Sequence, residues 1–276
     1  MKKLMLLASL CLLLNSSATL AQISTSSTRV QRNQGKTLTH TTKLENAKGN
    51  QVVVTMSNSD VQVIGHNSNE VVIEAKNYQG APARAAGLKP LYNQLEDNTG
   101  LGLHVIKENN GVKISKTTRQ DGKYIIKVPK NVAVVFHETN WTDGNLNMSD
   151  LDGEIELKLQ NWNASLTNIT GPVVANATNS DIVIKFSSLN QSKPSAVSVI
   201  TGTVEIYLPA GTKADFKMKS VQGQIYSDLD MNIPKEPKSN LPRMTGGTNI
   251  QGKTNGGGVE MTLYTISGDM FIRKSK

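Results

Sequence analysis

A short phrase recurs along this chain at a nearly constant step, and it constrains the fold more than any single residue does. The phrase is a corner residue (Gly, Asn or Ser), one spacer, then an aliphatic residue that opens an alternating run. It stands at Gly144, Gly153, Asn163, Gly171 and Ser180, spaced 9, 10, 8 and 9 residues apart. It returns at Gly202, Gly223, Gly258 and Gly268. Self-similarity at such a step is the mark of stacked supersecondary units. After each corner the apolar residues alternate: Ile155, Leu157 and Leu159, then Ile182, Ile184 and Phe186, then Val204, Ile206 and Leu208, and later Val259, Met261 and Leu263. Period-two alternation places them on one face of a strand. Gly, Asn and Ser suit a sharp corner, because it requires φ > 0 or a side chain that bonds its own turn.

The reading is an all-β chain: a single-domain, parallel β-helix-like solenoid with two or three strands per coil of about 18–27 residues. The alternative is an antiparallel β-sandwich, which also shows short strands at even spacing. Repetition of one corner phrase favours stacking, since sandwich turns have no reason to resemble one another. An aromatic content of 4% suits a thin core filled by small aliphatics.

The first 21 residues read as a secretory signal peptide. Lys2 and Lys3 precede an apolar run from Leu4 to Leu14, and Thr19-Leu20-Ala21 forms a small-residue cleavage site. Cys11 is the only cysteine and lies inside that leader, so the mature chain is expected to lack disulfides and thiolate metal sites. No later stretch reaches the roughly 18 apolar residues of a membrane span. Residues 22–36 read as a flexible leader, and 37–276 as the repeat domain. That domain is irregular over 37–135 and regular over 140–274. A Pro-rich loop insertion at 231–247 breaks its rhythm. APARAAGLKPLY is the one helix-compatible stretch, and its Pro and Gly keep any helix short. The formal charge of +8 would suggest nucleic acid in a cytosolic protein. Export removes that partner, and leaves acidic glycans, anionic headgroups or a solvated surface.

The C-terminal half carries a resemblance. The xLPAGT corner at Leu208–Thr212, the SxxGxI step at Ser220–Ile225 and the closing TxSGDxxI at Thr265–Ile272 resemble the bacterial β-strand-repeat adhesin family. That family has no assigned molecular role and is related to auto-transporter adhesin-head domains. The likeness spans about residues 50–276. It implies a repetitive, solenoid-like exported domain of the cell envelope and supplies no catalytic residues. The insertion 231–247 departs from the pattern.

Asp150, Asp152, Glu154 and Glu156 form an acidic series with spacing two. On one uninterrupted strand they share a face, about 6.5–7 Å apart. Such a series is a candidate Ca²⁺ site or an acid/base pair for glycoside chemistry, and otherwise a solvated face neutralised by lysines such as Lys158. Trp141 and Trp162 lie 21 residues apart beside corners. Stacked, they would form a platform for sugar rings, or else seal the core. Tyr207, with Lys235, Lys238 and Arg243 of the insertion, completes the candidate binding surface. The four histidines lack the spacing of a metal motif. No cofactor is implied.

Three functions follow. The first is an exported, non-enzymatic envelope protein that binds or scaffolds, with a glycan or envelope protein as partner, in the periplasm or at the cell surface. The second is a carbohydrate-active β-helix enzyme acting on acidic polysaccharide. The third is a periplasmic sensor for a membrane regulator.

Overall fold

Short runs rich in Val, Ile and Thr, each closed by Asn, Gly or Ser, extend because β-branched side chains pack well on a pleated surface. The computed structural model describes residues 37–44, 50–88, 91, 95–108, 111–234 and 247–275. The strands begin with β1 (Leu38–Lys43), β2 (Gln51–Met56), β3 (Ser59–His66) and β4 (Glu70–Lys76). A single 3₁₀ turn, Ala83–Ala85, is what the Pro- and Gly-punctuated helical stretch yields. Next come β5 (Leu103–Glu108), β6 (Gly111–Lys116), β7 (Gly122–Pro129) and β8 (Ala133–Glu138). The regular part holds β9 (Asn145–Leu151), β10 (Ile155–Leu159), β11 (Asn163–Ile169) and β12 (Val173–Asn179). It continues with β13 (Ile182–Phe186), β14 (Ser195–Thr201), β15 (Val204–Leu208) and β16 (Ala214–Gln222). The chain closes with β17 (Ile225–Ser227), β18 (Thr248–Thr254), β19 (Val259–Ser267) and β20 (Met270–Lys274).

These strands make two ten-stranded mixed sheets. Sheet I runs β1-β4-β7-β3-β9-β11-β13-β15-β20-β17, and sheet II runs β18-β16-β19-β14-β12-β10-β8-β2-β6-β5. From β8 to β15 consecutive strands alternate between the sheets, and each strand from β8 to β13 pairs in parallel with the strand two places on. Asn145 faces Asn163, Ile155 faces Val173 and Ile182 faces Val204. Antiparallel pairing among the described residues occurs at β1–β4, β4–β7, β5–β6 and β16–β18, towards the ends of the sheets.

The alternating aliphatics of both sheets bury into one apolar core. Ile155, Leu157, Ile182, Ile184, Val204 and Ile206 are fully inaccessible, as their spacing predicts. At the corners the glycines meet neighbouring backbone. A Cβ on Gly171 would lie 1.8 Å from the Gly153 carbonyl oxygen, and one on Gly153 would lie 2.0 Å from that of Val132. Close approach, more than positive φ, is why the regular corners select glycine. Asn163 differs from expectation too. Its Oδ1 accepts the backbone N–H of Asp181, one repeat on, instead of bonding its own turn. Among the described residues no helix is long and apolar enough to cross a membrane.

Candidate functional site

Parallel, in-register stacking converts like positions of successive strands into rows about 4.8 Å apart on each sheet face. On the outer face of sheet I one row passes Gln62 (β3), Asn147 (β9), Ser165 (β11), Val183 (β13), Glu205 (β15), Phe271 (β20) and Tyr226 (β17). Its first half lies in an open trough of about 460 Å³, whose walls include Lys76, Lys123, Asp60, Asn145, Asn163 and Asp181.

The trough wall is a hydrogen-bonded ladder. Asn145 Nδ2 donates to Asp60 Oδ1 at 3.1 Å, the Asp181 amide donates to Asn163 Oδ1 at 2.8 Å, and Asp181 Oδ1 accepts the Thr203 amide at 2.8 Å. Its floor is different. The side chains of Gln62, Asn147 and Ser165 make no hydrogen bond among the described residues. Lys76 and Lys123 are register partners across β4 and β7. Lys123 reaches Asp60 at 3.7 Å.

The other half of the row ends in an aromatic and ionic cluster. The rings of Tyr226 and Phe271 stack at 5.2 Å with 9° between their planes. At that separation two near-parallel rings are offset-stacked. The Arg273 guanidinium lies 5.4 Å from the Phe271 ring and bonds Glu205 Oε1 through Nε at 2.5 Å. Tyr207 Oη donates to the same oxygen at 2.8 Å, and Lys185 Nζ sits 5.2 Å from the Tyr207 ring. The bond to Glu205 holds the Tyr207 phenol above its ordinary pKa, because it favours the protonated form. Tyr226 is 51% exposed at the edge of the sheet.

The acidic series is arranged otherwise than its spacing predicts. β9 ends at Leu151 and β10 begins at Ile155, so a corner separates Asp150 on sheet I from Glu156 on sheet II. Asp150 accepts from Asn168 Nδ2 at 2.6 Å, and Asp152 from Thr170 Oγ1 at 2.6 Å. Glu154 pairs with Lys193 and Glu156 with Lys158, both at 2.7 Å. Asp150 and Asp152 border a cleft of about 250 Å³ with Lys130 and His66. Among the described residues no group of three His, Cys, Asp or Glu could hold a metal ion.

The two tryptophans also part company. Trp141 is 62% exposed, whereas Trp162 is fully buried, tilted against Phe136 at 5.7 Å, with its indole N–H donated to Thr142 O. No paired platform forms, and Trp162 belongs to the core. Lys235, Lys238 and Arg243, with most of the insertion, lie outside the described residues. Glu138 was not legible as special in the sequence. Its buried carboxylate accepts the backbone amides of Gln160, Asn161 and Trp162 at 2.7–3.0 Å, which fixes the corner one repeat on. Only its place at the end of an alternating run hinted at this.

No family model matches the chain, and no curated protein matches it. Solved structures similar to it include a "putative cell adhesion protein" from Clostridium sporogenes, at 10% identity and TM-score 0.42, covering 87% of this chain and 100% of that one. Another is a "putative adhesin" from Bacteroides fragilis, at 10% identity and TM-score 0.39, covering 87% and 97%. The resemblance read in the sequence carries the same name as these neighbours.

Proposed function

We propose that this protein is an exported, non-enzymatic, adhesin-like protein of the cell envelope that binds or scaffolds through the outer face of sheet I. Its body is then a β-solenoid, a reading supported by the parallel pairing of each strand from β8 to β13 with the strand two places on. One observation carries the binding role: a single register row leads from amides without a hydrogen-bond partner among the described residues, in an open trough, to an exposed aromatic pair. A rigid repeat presents such a row without rearrangement, which lowers the ordering cost of binding. The non-enzymatic reading draws support from the four acidic residues, which a corner splits and local partners engage. Export rests on the signal-like residues 1–21, which lie outside the described residues.

Protease shaving of intact cells, with a periplasmic marker as control, tests the placement. Digestion of this protein with the marker intact is the expected result. Full protection until the outer membrane is permeabilised would place it in the periplasm and end the adhesin reading.

A further inference from the structure

Two kinds of unsatisfied chemistry share the trough on sheet I, and together they select a ligand class. The first is charge. Lys76 and Lys123 stand directly opposite each other on neighbouring strands, and like charges in that relation repel. Lys76 forms no ion pair among the described residues. Asp60 reaches Lys123 at 3.7 Å, and the same carboxylate already accepts the Asn145 amide. Asp181, also in the wall, is committed to the Thr203 amide.

The second is hydrogen-bonding capacity. Gln62, Asn147 and Ser165 are consecutive register partners across β3, β9 and β11. Each amide offers donors and an acceptor together, and the hydroxyl offers both. Repeated at about the 4.8 Å strand separation, they match a chain that presents hydroxyls at short, regular intervals. An apolar ligand would leave these groups desolvated and unpaired, which is costly. A small anion would use the lysines and ignore the row.

Resting on the reading that this face binds, we infer that the trough takes an acidic polysaccharide laid across the strands. A carboxylate sits on Lys76 and Lys123, and ring hydroxyls meet Gln62, Asn147 and Ser165. A longer chain continues past Val183 towards Phe271 and Tyr226. Arg273 neutralises Glu205 along that path, while Asp181 in the wall keeps its charge against the neutral Thr203 amide, so the two lysines must outweigh it. The net positive charge of the protein adds long-range attraction.

The test is calorimetric titration of the folded protein with oligomers of galacturonate, mannuronate and hyaluronan, beside methyl-esterified oligogalacturonate. At least one acidic oligomer is expected to bind, and the ester at least tenfold more weakly than the acid it derives from. K76A/K123A should weaken binding at least tenfold and Q62A/N147A at least threefold. K217A/K219A, on sheet II, should stay within twofold. Circular dichroism and melting confirm that each variant is folded. Equal loss in the sheet II variant would mean diffuse charge attraction and would overturn the inference. So would loss in K76A/K123A with none in Q62A/N147A, which describes an anion site only. Failure of all three acidic oligomers overturns it as well. Any of these results leaves the shaving experiment, and the adhesin reading, standing on its own.

Discussion

Lys116 shows how a single buried charge marks the folded state. It is 8% exposed, and its ammonium donates to Ser57 O, Asn58 O and Ser59 Oγ at 2.7–2.8 Å, bracing the corner between β2 and β3. Burial pushes its pKa down from 10.5 to about 8, and the Asp121 carboxylate pushes back. Between those values the unfolded chain binds the proton more tightly than the folded one, so stability rises with pH. Urea midpoints measured from pH 7 to 10.5 should climb for the wild-type chain relative to Lys116→Met. A flat difference between the two curves would mean that the three oxygens fully compensate for burial. Nothing in the sequence warns of this residue, because Lys116 follows Ser115 as an ordinary strand-end lysine. Its partners lie 57 to 59 residues away.

At the scale of elements, corners and strands were unequally legible. β10 and β13 run as the alternation predicts, because the choice of inward face depends on each side chain's own hydrophobicity. The corner glycines were found for an incomplete reason. At Gly171 the constraint is the Gly153 carbonyl oxygen of the preceding repeat. Gly171→Ala should cost about 1–3 kcal/mol through overpacking, read as a lowered urea midpoint with unchanged slope. Gly211, where an added Cβ meets nothing within 4 Å, is the control, and Gly211→Ala should stay within about 0.5 kcal/mol. Equal effects at both sites would return the explanation to backbone entropy alone. The acidic series failed as a strand face at just such a corner, since Gly153 turns the chain between Asp152 and Glu154.

The molecule as a whole carries one topological surprise. β19 lies between β14 and β16, and β20 lies between β15 and β17, so the last strands of the chain are inserted between two earlier pairs. In stacked repeats each unit is stabilised by its immediate neighbours. A chain ending at Gly258 therefore leaves β16 and β17 without β19 and β20, and leaves β14 and β15 uncovered. Hydrogen exchange of that truncated chain should show fast amides over residues 214–227, with β9 to β12 still protected. Protection retained over 214–227, with β17 protected as well as the β16 strand that β18 still pairs, would mean that the outer pair closes up onto β14 and β15 and that the inserted strands are dispensable.

Alternation in the sequence by itself determined that this chain is all-β, which residues turn inward, and where most corners fall, because burial and turn chemistry belong to each residue and its near neighbours. Which strands lie side by side was decided only by the tertiary structure. The local pattern is equally compatible with the short-range pairings of β8 to β15 and with the long jump that places Val204 beside Met270. The floor of the trough and its paired lysines are made of such pairings. Gln62 meets Asn147, and Lys76 meets Lys123, with several intervening strands of chain between the partners. No short-range signal records either, since backbone hydrogen bonds between strands are blind to the side chains that they bring together.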